Sequence, residues 1–307
     1  METSKEYPLV SAVIFCWNRK DDLRITLEKV QDNPYPNLEI IVVDNGSTDG
    51  TAQMVKEQFP KARLTCLPEN IGIAAGNVGF KQAKGKYILV LDDDSYPASK
   101  AIFRSIEEME KDRKLGIVTF NIYDPTTNQP IPRSHRPPSA VPVETFSFTG
   151  CGVILRKDVF SQVGFYPEEN FLYQNELQPS VRILDMGYKI KFYPEIIAYH
   201  KFSPKHRANK RDILYGTRNN LLFIWKHLPF IRAIITSNGV LFIYGARALK
   251  SFLIIDYLKA VIGFFAKLPL VIRERKVIRP KVVKMLTPYY RENSIIDFIA
   301  RHGKRNE

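Results

Sequence analysis

Three consecutive aspartates stand in the stretch YILVLDDDSYP, residues 87–97. The five residues before them are apolar or aromatic, which predicts a strand buried on both faces. Because side chains alternate along a strand, Asp92 and Asp94 are expected to point the same way, at the edge where open α/β sheets bind ligands. Two such carboxylates suit a hard divalent cation, Mg²⁺ or Mn²⁺, that also coordinates substrate phosphates. A solvated acidic turn is the alternative that this motif alone leaves open.

Three further strand patterns precede the aspartates, with helical periodicity between them. The strand patterns are residues 9–16, 38–43 and 63–67, and the helical patterns are residues 21–30 and 51–59. Successive strands start 29, 25 and 24 residues apart. This is βαβ spacing, and it predicts an α/β fold with a mainly parallel, doubly wound sheet. Asp44, which follows the second strand, and Asp92 are then expected to face one crevice.

Charge is distributed unevenly along the 307 residues. Residues 1–199 carry 23 lysines and arginines against 26 acids, a net of −3, whereas residues 200–307 carry 22 against 6, a net of +16. This asymmetry predicts a polyanionic partner, either nucleic acid or anionic lipid. The basic residues alternate with long apolar runs instead of isolated aromatic residues, which favours lipid, so no nucleic-acid partner is expected.

The cysteines and the N-terminus indicate a compartment. Cys16, Cys66 and Cys151 lie in apolar surroundings without metal-ligand spacing, which predicts small core residues in a reducing environment. The first residues show no basic segment followed by a long apolar run, so no signal peptide is expected. The protein is therefore predicted to be cytoplasmic.

Four segments resemble, in this order and spacing, the nucleotide-sugar half of inverting family 2 glycosyltransferases of the GT-A fold. They are FCWNR, VVDNGSTDG, ENIGIAAGNVGF and VLDDDSYP. The resemblance implies a metal-dependent hexosyltransferase that moves a sugar from a UDP- or dTDP-linked donor to a hydroxyl of a glycan or lipid-linked acceptor. Residues 1–229 would form the GT-A catalytic domain and residues 230–307 a basic amphipathic helical region. Residues 214–229 look most like rhamnosyltransferases of cell-surface polysaccharide or glycolipid assembly.

The resemblance also implies roles for individual residues. Asp44 would contact the base, and Asp92, Asp94 and His200 would hold the metal, Mg or Mn. The residues expected around the nucleotide sugar are Asn18, Asp44, Asn70, Gly72, Asn77, Asp92, Asp93, Thr149, Gly150 and Arg218. For Gly72 and its neighbouring glycines, close helix packing is the alternative, and for Gly150 a bulge.

The catalytic base of the family is the second acid of a Glu-Asp pair that opens a helix. Here Asn175 and Glu176 occupy those positions, and Gln178 replaces a further acid. Glu176 keeps a carboxylate that could accept the acceptor proton, but the loss of acidic neighbours changes its surroundings. A helix-opening acid without catalytic function remains the alternative for Glu176. For the whole chain, a non-catalytic sugar-nucleotide- or membrane-binding protein of the same fold stays open.

The last third predicts peripheral contact with an anionic membrane surface at the inner face of the cell membrane. Polar positions at Asp256, Lys259, Gly263 and Lys267 leave a wide apolar helical face, and the basic run RERKVIRPKVVK, residues 273–284, follows. Only 14 uncharged residues separate Arg232 from Arg247, too few to span a bilayer. Packing of these helices on the catalytic domain is the alternative.

Two segments in the middle of the chain connect these regions. Residues 124–142 contain six prolines and predict a surface loop, either an acceptor-side flap or a plain excursion. Residues 146–155 resemble the acceptor-side strand of the family, which implies a strand there. The oligomeric state is not predicted.

Overall fold

The computed structural model describes residues 6–131, 139–201, 209–292 and 294. Within these residues, ten strands form one sheet. The strands are β1 Val10–Cys16, β2 Leu38–Asp44, β3 Arg63–Cys66, β4 Tyr87–Asp92, β5 Ser95–Pro97, β6 Leu115–Asp124, β7 Gln129–Pro130, β8 Val143–Glu144, β9 Val153–Arg156 and β10 Lys189–His200.

Helices cover both faces of the sheet and continue to the end of the described chain. They are α1 Lys20–Gln31, α2 Thr51–Gln58, α3 Ala75–Gln82, α4 Ala101–Lys111, α5 Lys157–Gln162, α6 Leu177–Asp185, α7 Asn209–Arg211, α8 Thr217–His227, α9 Phe230–Lys250, α10 Ile254–Ala266, α11 Leu268–Glu274, α12 Pro280–Met285 and α13 Thr287–Glu292. Two single-turn helices, Gly72–Ala74 and Glu168–Asn170, precede α3 and α6.

The first half of the sheet has the predicted parallel arrangement, in the order β3-β2-β1-β4. Cys16 at the end of β1 is level with Asp44 of β2, and Phe15 is level with Asp92 of β4. The acids that follow β2 and β4 therefore flank the carboxyl end of β1. The α/β class predicted from strand spacing is confirmed.

The second half of the sheet is mixed instead of parallel. It continues β9-β6-β10-β5, where β9 runs antiparallel to both β4 and β6, and β10 runs parallel to β6. The strand predicted over residues 146–155 is wrong in its first part, because β9 begins only at Val153. The N–H of Gly152 donates to the carbonyl of Thr149 at 3.3 Å, so the chain turns there and cannot extend as a strand.

Two predicted segments lie partly outside the described residues. Residues 132–138 of the proline-rich loop and residues 295–307 of the C-terminal region belong to this part. On either side of the loop, β7 pairs with β6 and β8 pairs with β10. The described ends of the loop are therefore tied to the sheet.

Helices α8 to α13 pack against the same core as the sheet. Phe223, Val240, Phe264 and Leu286 belong to one buried cluster with Val153 of β9. The predicted boundary between residues 229 and 230 separates α8 from α9, whereas the buried side chains are continuous across it. Within the described residues, no helix has the length and apolar character needed to cross a membrane.

Helix α10 divides its predicted apolar face between the core and the surface. Ala260 and Phe264 are buried, and so is Asp256, which the sequence placed on the polar face. The Asp256 carboxylate is 3.6 Å from Lys210 Nζ, which explains how the charge is accommodated. Four large apolar residues of α10 point outward beside the exposed Lys259 and are 52–69% exposed: Ile255, Leu258, Ile262 and Phe265.

Candidate active site

Asp92, Asp94 and His200 meet at the carboxyl edge of the sheet. His200 Nε2 lies 3.0 Å from Asp94 Oδ1 and 3.7 Å from Asp92 Oδ2. Strand β5 causes this approach, because its antiparallel pairing with β10 sets Ser95 opposite His200. Asp94 and His200 are buried, whereas Asp92 is partly exposed. The three residues predicted to hold a metal are thus neighbours in space.

Arg19 lies beside these acids, although no sequence pattern singled it out. It follows β1, and its Nη2 is 2.9 Å from Asp94 Oδ2 while its Nε is 3.5 Å from Asp93 Oδ1. Burial raises the pKa of Asp93 well above its usual range, and Arg19 only partly opposes this. The Asp93 carboxylate is therefore directed to Arg19, and it does not line the cleft described below. The sequence signal that could have identified Arg19 was its position in FCWNR, one of the four segments that resemble the family.

Cys151 adds an unexpected donor to the acidic edge. Among the described residues, its Sγ, a carboxylate oxygen of Asp92 and a ring nitrogen of His200 lie within 4.8 Å of one another. This donor set fits a divalent cation, and the sulfur favours a softer ion than Mg²⁺. The sequence predicted Cys151 as a core residue only. For Cys66 that prediction is wrong, because the thiol is exposed at the end of edge strand β3.

A cleft of about 510 Å³ opens at Asp92 and contains several predicted site residues. Thr149 and Glu176 line it together with Asp92. The C-terminal helices supply the remaining wall through Tyr244 of α9 and Tyr289 of α13. The other lining residues are Ile73, Phe146, Ser147, Phe148, Leu172, Tyr173, Gln174, Asn175, Leu177, Asp212 and Gly216.

Glu176 stands at the start of α6 and lies directly against Gly150. A Cβ atom at Gly150 would be 3.3 Å from Glu176 Oε1 and 3.5 Å from the Tyr166 hydroxyl. Burial raises the pKa of Tyr166 well above its usual range, and the nearby Glu176 carboxylate raises it further. The tyrosine thus keeps its proton beside the carboxylate. Gly150 leaves the space in which both groups fit.

The turn before Glu176 has an unusual backbone. Phe171, Tyr173 and Gln174 have φ angles of 57°, 68° and 59°, in the left-handed region that residues with a Cβ disfavour. Helix α8 holds this turn through Asn219, whose Nδ2 donates to the carbonyls of Asn170, Leu172 and Tyr173. Tertiary contacts therefore maintain a conformation that the local sequence does not favour.

Arg218 supports the same turn and does not line the cleft, and its contact with the nucleotide sugar stays a prediction. Its Nη2 donates to the carbonyls of Glu169 and Asn170 at 2.9 and 3.0 Å, and its Nε donates to Asn219 Oδ1. Burial lowers the pKa of Arg218. The Arg218 guanidinium thus satisfies backbone acceptors of the turn.

Lys226 lies about two helical turns after Arg218 on α8. It connects the turn before Glu176 to the C-terminal helices. Its Nζ is fully buried between the carboxylates of Glu169 and Glu274, the latter at 2.7 Å. Glu169 belongs to the turn, and Glu274 ends α11. Removing one member of such a buried group is destabilising, because it leaves an uncompensated charge.

Asn70, Gly72 and Asn77 form a scaffold beneath the turn. Asn77 is buried, and its amide exchanges two hydrogen bonds with the backbone of Tyr166, at 2.9 and 3.0 Å. Gly72 has φ +69°, and a Cβ there would clash with the carbonyl oxygen of Phe171. Asn70 Oδ1 accepts from the N–H of Gly72 at 2.8 Å. None of the three lines the cleft with Glu176, and their contact with the nucleotide sugar stays a prediction.

Asn18 and Asp44 shape the loops at the ends of β1 and β2. Asn18 is exposed with φ 52°, and its Oδ1 accepts from the N–H of Thr48 at 2.8 Å. Asp44 is buried, and its Oδ1 accepts from the N–H of Ser47 at 3.1 Å. Both lie at the predicted carboxyl edge of the sheet. Neither lines the cleft that contains Glu176.

Comparison with known proteins identifies relatives of this chain. A family model described as glycosyl transferase family 2 matches residues 11–178, more than half of the chain. A poly-beta-1,6-N-acetyl-D-glucosamine synthase of Staphylococcus epidermidis is 38% identical over 116 residues, which cover 36% of this chain and 28% of that protein. WfaP of Escherichia coli, a UDP-Glc:alpha-D-GlcNAc-diphosphoundecaprenol beta-1,3-glucosyltransferase, is 35% identical over 108 residues, covering 34% and 43%. The chain thus spans less than half the length of these two relatives.

A solved structure with the same fold extends over nearly the whole chain. The mannosyltransferase PcManGT from Pyrobaculum calidifontis, in complex with GDP-Man and Mn²⁺, superposes with a TM-score of 0.56 at 17% identity, covering 97% of this chain and 89% of that one. At this identity the likeness concerns the fold alone, and it confirms the predicted GT-A class.

Proposed function

The chain belongs to glycosyl transferase family 2, and we propose that it transfers a sugar from a nucleotide-diphosphate sugar to a hydroxyl acceptor, with inversion at the anomeric carbon. The observation that carries this proposal is the cleft lined by both Asp92 and Glu176. It places the acidic edge of the sheet and a separate carboxylate around one space. A donor and an acceptor hydroxyl need these two kinds of groups.

Glu176 is the general base in this proposal. It accepts the proton of the acceptor hydroxyl as the hydroxyl oxygen bonds to the anomeric carbon, while the bond from that carbon to the diphosphate oxygen breaks. Its neighbours Asn175 and Gln178 are buried and neutral, so neither repels the ionised form of Glu176. The contact with Gly150 limits the positions open to the carboxylate.

Asp92, Asp94, His200 and Cys151 would hold a divalent cation, Mg or Mn. When bound, such an ion neutralises the charge that develops on the departing diphosphate. The short distances at His200 support this assignment, and so does the Mn²⁺ that accompanies GDP-Man in the PcManGT complex. Arg19 adds a fixed positive charge beside Asp94 and orients its carboxylate.

The donor we propose is UDP- or dTDP-linked, and the acceptor is a glycan or a lipid-linked glycan in cell-surface polysaccharide or glycolipid assembly. Support comes from the names of two relatives, one a polysaccharide synthase and one that uses UDP-Glc with a diphosphoundecaprenol-linked acceptor. Rhamnosyl transfer, suggested by residues 214–229, stays a prediction.

The C-terminal helices would dock peripherally on the anionic inner face of the cell membrane. Large apolar side chains are exposed along α9, α10 and α11, including Phe252, which is 95% exposed. The others are Phe230, Ile231, Ile234, Ile235, Phe242, Leu249, Ile255, Leu258, Ile262, Phe265 and Ile272. Exposed apolar side chains in this number, on helices that also carry cations, suit an anionic bilayer.

The basic run at residues 273–284 contributes less to this surface than its charge suggests. Arg275 donates to the carbonyls of Trp225 and Leu228, and Arg279 donates to Asp185 of α6. These two arginines hold the segment after α11 against α6 and α8. The remaining cations of the run are the ones available to lipid.

The proposal is tested by a screen of nucleotide sugars for metal-dependent transfer or hydrolysis, comparing the intact protein with Glu176→Gln. Because proton removal is needed only in the transition state, the substitution should lower turnover by about 10²-fold or more and leave donor affinity nearly unchanged. Glu168→Gln is the matched control, since Glu168 lies on the same turn and is exposed.

Equal activity of Glu176→Gln and the intact protein would remove Glu176 as the base. Donor binding without transfer or hydrolysis of any donor would instead favour the alternative function, a non-catalytic sugar-nucleotide-binding protein.

A further inference from the structure

A groove of about 800 Å³ lies between α9, α12 and α13, separate from the cleft that contains Glu176. Its walls are largely apolar, and three cations stand on it: Arg232, Lys284 and Arg291. Its volume is in the usual range for small-ligand sites. The other lining residues are Pro229, Ile235, Thr236, Gly239, Pro280, Val283, Thr287, Tyr290 and Ser294.

We propose that this groove binds the phosphate end of the lipid in a lipid-linked acceptor, an apolar chain that carries a phosphate or diphosphate. The inference rests on the proposed function for the existence of such an acceptor. It adds a binding site and a ligand chemistry for the part of the acceptor that is not glycosylated.

The charges of the groove favour an anion. Among the residues whose side chains the structure describes, which do not include Glu292, no carboxylate lines the groove and none lies within 4.0 Å of the Arg232, Lys284 or Arg291 side chains. Three cations that line one groove make its electrostatic potential positive, and a phosphate can pair with them through charge-assisted hydrogen bonds. A phosphate group therefore complements the groove better than a neutral ligand.

Tyr290 provides a second indication of a polar ligand. Its ring lies under the Arg232 guanidinium at 5.7 Å, a cation–π distance that orients the arginine. Its hydroxyl is buried and has no hydrogen-bond partner among the described residues. Buried hydroxyls normally have partners, so an oxygen of a bound ligand is a suitable one.

The surroundings of the groove select an acceptor lipid over a bulk phospholipid. On one side, Phe230, Ile231 and Ile234 extend the apolar wall onto the exposed surface of α9, where a lipid chain can leave towards the membrane. On the other side lies the cleft, because Tyr289 lines the cleft and Tyr290 lines the groove. Along α9, Gly239 of the groove and Tyr244 of the cleft are about 8 Å apart at 1.5 Å per residue.

Calorimetry on the full chain tests the proposal with farnesyl diphosphate as the probe, a soluble apolar chain that ends in a diphosphate. We expect farnesyl diphosphate to bind more tightly than farnesol or inorganic pyrophosphate.

Arg232→Gln combined with Lys284→Gln should weaken the affinity for farnesyl diphosphate at least ~10-fold, since each lost charge-assisted bond is a large share of such an affinity. The matched control is Lys250→Gln combined with Lys259→Gln, which removes two exposed cations from α9 and α10 outside the groove. Tyr290→Phe, which keeps the ring, should also weaken binding.

Four results would overturn the proposal. The first is that the control pair weakens farnesyl diphosphate binding as much as the groove pair does, and the second is that pyrophosphate binds as tightly as farnesyl diphosphate. The third is that a short-chain phosphatidylglycerol competes for the site as well as farnesyl diphosphate does. The fourth is that farnesyl diphosphate binds at least ~10-fold more tightly once residues 295–307 are removed. The last would assign the groove to the chain's own C-terminal segment. Donor hydrolysis, measured on the same proteins, separates the two proposals: groove failure with hydrolysis retained leaves the glycosyltransferase proposal intact.

Discussion

At the acidic edge, the two oxygens of Asp94 face two different nitrogen groups. Oδ1 is 3.0 Å from His200 Nε2, and Oδ2 is 2.9 Å from Arg19 Nη2. This arrangement fixes the carboxylate in a buried position, where rotation would lose its contacts with both Arg19 and His200. Asp92, which is partly exposed, and Cys151 then provide the donors beside His200 that are closest to the cleft.

The presence of a thiol at this edge leads to a prediction about metal preference. If Cys151 is a ligand, Co²⁺ added to the intact protein should produce a near-ultraviolet sulfur-to-metal charge-transfer band, and Cys151→Ser should abolish it. Cys66→Ser is the control, because Cys66 is an exposed thiol on β3. A band of equal intensity in Cys151→Ser and the intact protein would exclude Cys151 as a ligand, whether or not the protein is active.

At the scale of elements, α8 determines the position of the segment that leads to Glu176. Three residues with left-handed φ angles lie in the turn, and each costs on the order of 1 kcal/mol or more. Asn219, Arg218 and Lys226, all on α8, bond to the same turn and offset this cost. The proposed base, Glu176, therefore follows a turn that is held by a helix more than 40 residues further along the chain.

Loss of the Asn219 amide should affect catalysis more than donor binding. Asn219→Ala removes one donor from three carbonyls of the turn, and the Leu172 carbonyl loses its side-chain donor, so we expect the free energy of unfolding to fall by roughly 1–3 kcal/mol. We also expect kcat to fall by about 10-fold or more at constant donor Kd, because Glu176 loses its alignment. Asn238→Ala, on the exposed side of α9, is the control. A stability loss without any change in kcat would limit Asn219 to a structural role.

For the whole molecule, the C-terminal helices combine two functions in one region. Their inner side chains complete the core and, through Tyr244 and Tyr289, a wall of the cleft. Their outer side chains form the apolar surface proposed to meet the membrane. Removing residues 230–307 would thus expose remaining core residues such as Phe223 of α8, which packs against Tyr289, so membrane binding is better tested by point substitutions.

Replacing the outer apolar residues should weaken liposome binding without unfolding the protein. In a flotation assay with anionic liposomes, we expect the intact protein to float and the triple variant Phe252→Ser, Ile255→Ser and Ile262→Ser to stay largely at the bottom, because each exposed side chain contributes apolar area on insertion. Salt should weaken binding of the intact protein without abolishing it. The control is Val141→Ser, because Val141 is 63% exposed and lies outside the C-terminal helices. Failure of the intact protein to float on anionic and neutral liposomes alike would contradict the membrane proposal.

The sequence alone determined the part of the fold in which pattern and position are local. Strands β1 to β4 and helices α1 and α2 lie within a few residues of their predicted bounds, because hydrophobic periodicity reports burial directly. The acids at Asp44 and Asp92 follow from the same patterns, since parallel strands end at one edge. The order of four motifs was enough to predict the family.

Only the tertiary structure decided which groups complete the site. Cys151 reaches Asp92 and His200 through the antiparallel insertion of β9, and no spacing along the chain encodes that contact. The hydrogen bonds of Arg218 to the backbone of the strained turn also appear only in the folded chain. The division of α10 into a buried and an exposed apolar side likewise depends on what packs against it. In each case the deciding contact joins residues far apart in sequence, and periodicity carries no information on such contacts.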